Sequence, residues 1–302
     1  MTSLKNIPAS VRQRLLNLSR KGKRPFNELL QYYAIERFLY RLSKSIHSER
    51  FILKGALMLR VWGSPEARPT MDIDMLGKTS NDEARIIDQI RDILAVKVEN
   101  DGLIFDPESI QTDLISEDSD YEGIRIRFRG KLDSAKVSIQ IDIGFGDIVY
   151  PNPKTSDFPT ILESPTPRIL CYSRESVIAE KFEAMINLGL LNSRMKDFYD
   201  IWLPSRQFNF EGALLAEAIR LTLKQRGTPL PIEIEAFTDS FATGKQAQWT
   251  AFWKRLQQDQ VPMSFREITF TVKEFLEPLV SSFSSNNRIP TFWIAPGPWH
   301  MD

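Results

Sequence analysis

The sequence predicts an α/β chain, with a mixed-sheet core and helical segments on its N- and C-terminal sides. Three observations carry this. Helical periodicity fills residues 8–50, strand-like alternation and short apolar runs fill 51–149, and helical periodicity returns from 173 to about 281.

In the first stretch Pro8 suits a first helical turn, and Val11, Leu15, Leu16 and Leu18 follow a helical period. Gly22 and Pro25 interrupt it. A second helix through NELLQYYAIERFLYRLSKS sets Leu29, Leu30, Tyr33, Ile35, Phe38, Leu39 and Leu42 mostly on one side. FILKGALMLRVWG then reads as a strand (51–54) entering a helix that stops at Gly63. PTMDIDML is a strand, and TSNDEARIIDQIRDIL is a helix capped by Ser80 or Asn81.

YEGIRIRFRGKLDSAKVSIQIDIGFGDIV reads as a hairpin. Ile124, Ile126 and Phe128 alternate with Arg125, Arg127 and Arg129, and after a turn Val137, Ile139, Ile141 and Ile143 alternate with Ser138, Gln140 and Asp142. The proline-rich run after Tyr150 reads as a connector, and the Trp-bearing end as a tail packed across the body. The expected organisation is a helical segment at 1–50, a core at 51–150, a connector at 151–168, a helical domain at 169–285 and a tail at 286–302.

Composition narrows the function classes. The 302 residues carry 39 basic and 39 acidic side chains, so contact with nucleic acid must use a local patch rather than a global field. The densest such patch is Arg12, Arg14, Arg20, Lys21, Lys23 and Arg24, which reads either as a solvated helix end or as a phosphate contact. One cysteine, Cys171, excludes an internal disulfide framework and a Cys-cluster zinc site. His47 and His300 are too far apart in sequence to suggest a metal pair. No apolar run approaches membrane-spanning length and the polar N-terminus is unlike a signal peptide, so the expected location is the cytoplasm, with no membrane partner.

The acids in PTMDIDML raise the sharper question. Successive strand side chains alternate faces, so Asp72 and Asp74 project the same way. Two like charges that close call for something positive. Neighbouring Arg or Lys side chains could supply it, and so could a divalent metal ion. Asp142 in VSIQIDIGFG is a third carboxylate, on a face shared with Ser138 and Gln140. Three carboxylates on adjacent strands suit hard cations such as Mg²⁺. Gly55 opens the preceding helix, whose N–H groups suit a phosphate.

In ESVIAEKFEAMINLGL, Lys181 falls inside the apolar stripe of Val177, Ile178, Phe182, Met185, Ile186 and Leu188, with Glu180 and Glu183 opposite. Its amine either snorkels outward or aims into a cleft. In RMKDFYDIW, Met195, Phe198, Tyr199 and Trp202 share one face; Asp197 and Asp200 lie roughly opposite, where solvated aspartates are the plain reading and Arg194 can pair with either.

KGALMLRVW, PTMDIDML and IQIDI in this order resemble the nucleotidyltransferase superfamily. With SVRQRLLNLSRKGKRPFNELLQYYAIERFLYRLSKS, VIAEKFEAMINLGLLNSRMKDFYDIW and QWTAFWKRL, the chain is similar to the AbiEii/AbiGii-type toxin nucleotidyltransferases over most of residues 10–280. The resemblance implies a nucleotidyltransferase-like core and an enzyme dependent on Mg²⁺ or Mn²⁺ that takes an NTP. It implies transfer of NMP to an RNA acceptor, with a tRNA 3′ end expected, and a toxin of a toxin–antitoxin or phage abortive-infection pair with a cognate antitoxin. It further implies Asp72, Asp74 and Asp142 as metal-holding and catalytic, with Lys181 and Asp197 also catalytic. Lys54, Gly55, Ala56, Arg68, Thr70, Lys181 and Asp200 are the implied nucleotide-binding residues. The superfamily commonly has Gly-Gly or Gly-Ser where this chain has Gly55–Ala56, so a serine hydroxyl is absent there. Two other readings stay open: a silent relative that binds nucleotide or RNA, and a nucleotidyltransferase acting on protein or small molecules.

Overall fold

The computed structural model describes residues 6–65, 68–117, 121–283 and 288–301. The chain divides into two compact units. The first takes Met1–Gly63, Pro69–Gly146 and Lys154–Cys171; the second takes Ser64–Arg68, Asp147–Pro153 and Tyr172–Asp302.

The first unit begins with α1 (Ile7–Gly22) and α2 (Phe26–Lys44). The Asn6 side chain accepts the Ala9 N–H at the start of α1, and Lys23 closes it in the left-handed region. There follow β1 (Phe51–Lys54), a 3₁₀ turn (Gly55–Leu57), α3 (Met58–Val61), β2 (Asp72–Gly77) and α4 (Glu83–Ala95). The remaining strands are β3 (Leu103–Glu117), β4 (Tyr121–Leu132), β5 (Ala135–Phe145), β6 (Lys154–Asp157) and β7 (Arg168–Cys171). Among the described residues they form one mixed sheet in the order β3-β4-β5-β2-β1-β7-β6. β2–β5 and β1–β7 are parallel, and the other neighbours are antiparallel. The mixed α/β fold is the one the alternation predicts.

One sheet face is apolar because every second residue of β2, β4 and β5 is. Ile73, Met75, Ile124, Ile126, Phe128, Ile139, Ile141 and Ile143 are all buried. Helix α2 contributes Phe38 to this core, its ring centroid 5.6 Å from that of Phe128, which also meets Phe105 edge-on.

Helix α2 is buried around much of its circumference, charges included. The Arg41 guanidinium grips Asp101 at 2.7 and 3.2 Å and also donates to the Leu103 carbonyl. Arg37 donates to the Pro165 carbonyl and pairs with Glu36, whose other oxygen accepts the Ile161 N–H at 2.8 Å. Two loops are thereby fastened to one helix.

Three local expectations change. The cap of α4 is Asp82, whose carboxylate accepts the Arg85 N–H, rather than Ser80 or Asn81. The stretch between α4 and the hairpin, unassigned from sequence, is the edge strand β3; its pairing with β4 shifts between Asp106 and Gln111, where Pro107 removes a ladder donor. The connector holds β6, which pairs with β7 to finish the sheet.

The second unit is built from α5 (Arg174–Leu188), α6 (Met195–Gln207), α7 (Gly212–Gln225), α8 (Asp239–Leu256) and α9 (Phe265–Ser281). A small antiparallel sheet joins β8 (Phe210–Glu211), β9 (Phe292–Trp293) and β10 (Trp299–His300). The tail packs as expected: the rings of Trp293 and Trp299 lie 4.9 and 5.7 Å from that of Phe275, and their indole N–H groups donate to the Ser205 and Phe275 carbonyls. Arg226 bonds to Asp147 at 2.9 Å and Glu183 at 2.8 Å, tying the Asp147–Pro153 segment to α5 and α7. Glu183 is therefore buried rather than on a wet face. Among the described residues no helix is long and apolar enough to cross a membrane.

Glu36 makes stability depend on pH. Burial pushes its carboxyl up to about 7 from an ordinary 4.5, with the Arg37 charge and the Ile161 amide pulling it back. Between those values the folded state keeps a proton that the unfolded chain releases, so this group's contribution favours folding at low pH and is lost as pH rises toward 7. Urea midpoints measured from pH 5 to pH 8 should carry this falling contribution, and E36Q should remove it from the slope. An unchanged slope in E36Q would contradict the assignment.

Candidate active site

Strand β2 alternates, with Ile73 and Met75 buried and Asp72 and Asp74 half-exposed on the polar face. Parallel pairing sets Asp72 opposite Gln140 and Asp74 opposite Asp142, strands being about 4.8 Å apart. On its other side β2 meets β1 in antiparallel register, with Lys54 opposite Asp74. Residues in register share a face, so Lys54, Asp72, Asp74, Gln140 and Asp142 all project from the polar side of the sheet.

The hairpin register brings Arg125 opposite Asp142. Its guanidinium donates to both carboxylate oxygens, at 2.8 and 2.7 Å, a fork geometry that an ammonium cannot match. The bond to Asp142, with the charges of Asp142, Asp72 and Asp113, raises the Arg125 pKa further above its ordinary value. Arg127 donates to Gln140 at 3.1 Å and pairs with Asp113. For Asp142, then, the compensating positive charge is an arginine. Among the described residues no three His, Cys, Asp or Glu side chains are gathered so as to hold a metal ion. The fork engages both Asp142 oxygens. The donor set of Asp72, Asp74 and Asp142 is all carboxylate oxygen, the chemistry that suits Mg²⁺ or Mn²⁺, and in this structure Asp142 faces Arg125.

Gly55 adopts φ +70° at the end of β1. A Cβ there would lie 2.0 Å from Asp74 Oδ2 and 2.7 Å from its Cγ. The glycine thus lets the Asp74 carboxylate lie against the turn. The helix that follows is shorter than its sequence pattern suggests: a 3₁₀ turn and the four-residue α3, ended by Gly63 at φ +73°. So few aligned peptides give little macrodipole at this turn. Ala56 is buried, so no side chain from that position opens onto the site.

Thr70 precedes β2, and its N–H donates to the Tyr32 hydroxyl at 3.1 Å. Gln31 donates to the carbonyls of Met71 and Ser138, at 3.1 and 2.9 Å, and so clamps the starts of β2 and β5. Sequence reasoning missed both α2 residues. No local signal marks a side chain whose partner lies up to 107 positions away.

The second unit holds another charged cluster. Lys181 on α5 lies 3.0 Å from Asp197 and 2.9 Å from Asp200 on α6. Arg68 forks onto Asp200 at 2.8 and 2.7 Å, and Arg194 approaches Asp197 at 2.6 Å. Asp197 and Asp200 are 0% and 1% exposed, which overturns the solvated reading; α6 is buried from Phe198 through Ser205, polar positions included. Burial alone would raise the Asp200 pKa, but the charges of Arg68 and Lys181 outweigh it and hold the carboxyl well below the usual range. Burial likewise works against the Lys181 ammonium, yet Asp197 and Asp200 keep its pKa raised. Lys181 neither snorkels nor exchanges protons near neutrality: it is a fixed cation, with its side chain 12% exposed. Cys171 lies buried in β7 with its thiol pushed up to about 12, and His47 pairs with Asp92; neither belongs to these clusters.

Replacing Gly55 by alanine tests the close approach at the turn. The φ value alone costs about 1–2 kcal/mol for a residue with a Cβ, and the overlap displaces Asp74 besides. G55A should unfold at a clearly lower denaturant midpoint than the wild type; an unchanged midpoint would mean that Asp74 does not lie against this turn.

The sequence profile described as "Nucleotidyl transferase AbiEii toxin, Type IV TA system" matches residues 37–271. No curated protein matches the sequence significantly. The fold is similar to JHP933 from Helicobacter pylori, with 13% identity over 86% of this chain and 98% of that one and a TM-score of 0.46. A second H. pylori structure, described as a "putative nucleotidyltransferase", has 13% identity over 80% and 93% of the two chains and a TM-score of 0.42. Both scores are too low to carry weight, and the assignment rests on the sequence profile, which spans most of the chain. The chain belongs to the AbiEii nucleotidyl transferase toxin family of type IV toxin–antitoxin systems.

Proposed function

We propose that this chain transfers NMP from an NTP to the 3′ end of an RNA, a tRNA being the expected acceptor, with Asp72, Asp74 and Asp142 as the catalytic carboxylates. The observation that carries the reading is the parallel register of β2 and β5, which sets Asp74 beside Asp142 and Asp72 two residues away on the same face, against the Gly55 turn. Asp72 and Asp74, joined by Asp142, would hold Mg²⁺ or Mn²⁺. When bound, such ions neutralise the charge that develops as the acceptor hydroxyl attacks and pyrophosphate leaves.

The protein's own groups have distinct tasks. Lys54, Gly55, Ala56 and Thr70 shape the backbone around the paired aspartates. Arg125 keeps its charge at any working pH, so when Asp142 turns away its fork is available to phosphate oxygens. In the second unit three cations (Lys181, Arg68 and Arg194) face two carboxylates, an excess of positive charge suited to phosphate. Asp197 and Asp200 position Lys181 and Arg68 there. In the cell the chain acts, on this reading, as a cytoplasmic toxin opposed by a cognate antitoxin, in phage abortive infection.

Incubation of purified protein with Mg²⁺, labelled NTPs and total RNA tests this. Label should appear on RNA, and D72N should lower it by at least ~100-fold with the fold intact. Label on protein or small molecules would move the acceptor to another class. Absence of label everywhere would make the chain a silent binding relative.

A further inference from the structure

An open cavity of about 530 Å³ lies in the first unit beside the acidic strand, within the size range of small-ligand sites. Asp72 is in its wall; Lys54, Gly55, Asp74 and Asp142 are not among its lining residues. Its other walls come from the start of α2, from β5 through Ser138 and Gln140, and from β4 through Arg127. The sheet order β4-β5-β2-β1 therefore puts this cavity on the β5 side of β2 and the Gly55 turn on the β1 side. Asp72 belongs to the strand between them.

We infer that this cavity receives the 3′-terminal nucleoside of the RNA acceptor, an inference that rests on the transfer reaction proposed above. In-line displacement at the α-phosphorus requires the attacking and leaving oxygens on opposite sides. We place the triphosphate beside Lys54 and Asp74 on the Gly55 side of β2, so the acceptor hydroxyl comes from the β5 side, where the cavity is. The bond that forms joins the acceptor 3′ oxygen to the α-phosphorus; the bond that breaks releases pyrophosphate, and the hydroxyl proton leaves to solvent or to a carboxylate.

The lining chemistry selects a nucleoside over a triphosphate. Among the described lining residues Asp72 is acidic, Glu28 is held by Arg24, and the guanidinium of Arg127 is already engaged by Asp113 and Gln140. Among these described residues no cation is left unengaged for a triphosphate. The wall offers amides and a hydroxyl instead (Asn27, Gln140, Ser138), groups that both donate to and accept from base edges and ribose hydroxyls. Met71, 40% exposed, joins Pro25 and Pro69 in the same lining and gives a base face an apolar surface to rest on. Gln31, which ties the Met71 and Ser138 carbonyls together, is the positioning residue that holds this wall in shape.

The test uses the full chain, an RNA oligonucleotide ending in 4-thiouridine and, in parallel, 8-azido-ATP. After irradiation and peptide mapping, the RNA terminus should be attached to the peptide bearing Asn27 and Gln31 or to the one bearing Met71, and 8-azido-ATP elsewhere. S138W, a substitution at an exposed position, should cut RNA attachment at least about tenfold and leave that of 8-azido-ATP unchanged. The inference is overturned if the azido nucleotide is the one attached there, if the RNA terminus maps elsewhere or nowhere, or if S138W leaves RNA attachment intact. Because attachment is read without turnover, a chain that seats RNA here but transfers no nucleotide would sink the proposed reaction and spare the cavity assignment. Transfer to RNA with the terminus mapped elsewhere would do the reverse.

Discussion

The parallel pairing of β2 with β5 is the constraint on which the rest of the polar face depends. These strands are distant in sequence, and their register, Asp74 against Asp142, is fixed by the face that nobody would call functional. Ile73 and Met75 must meet Ile141 and Ile143 in the core, and a slip of one residue would turn the aspartates inward and the aliphatics out. Hydrophobic burial under the sheet thus sets the carboxylate geometry above it. Gln31 and Tyr32 of α2 add a second constraint at the strand starts, so the helix that fills the core also holds the rim of the site.

Charge is handled differently in the two units. On the sheet, Asp142 and Arg125 are a partly exposed pair, with side chains 21% and 32% exposed and within reach of water. In the helical unit Asp197 and Asp200 have no access to water and are balanced by Lys181, Arg68 and Arg194. Removing one member there strands a buried charge, a change of about 3–5 kcal/mol. The first arrangement is fit for exchange of partners; the second is fit for holding a cation in one place.

Much of this was legible in the sequence because it is written in period two. The apolar alternation of 124–128 and 137–143 defined the hairpin, and the observed register then sets Arg125 opposite Asp142. Gly55 was legible as special, whereas the shortness of the helix it opens and the approach of the Asp74 side chain to the turn were not. Strand β3 was not legible, since Pro107 and the register shift break the alternation that would have marked it. The burial of Asp197 and Asp200 could not be read either, because the charge that makes it tolerable arrives from Arg68, 132 positions from Asp200. Local patterns report the chain's own periodicity; pairings that close long loops leave no local trace.

The central claim is that Asp72, Asp74 and Asp142 act together on a divalent ion, with Arg125 giving up Asp142 to allow it. Electron paramagnetic resonance of Mn²⁺ reads this directly, without turnover. With NTP present, the wild type should bind Mn²⁺ in a defined population, and D74N and D142N should each lose most of it while unfolding at wild-type denaturant concentrations. Undiminished Mn²⁺ binding in D142N would show that the third carboxylate stays with Arg125 and takes no part.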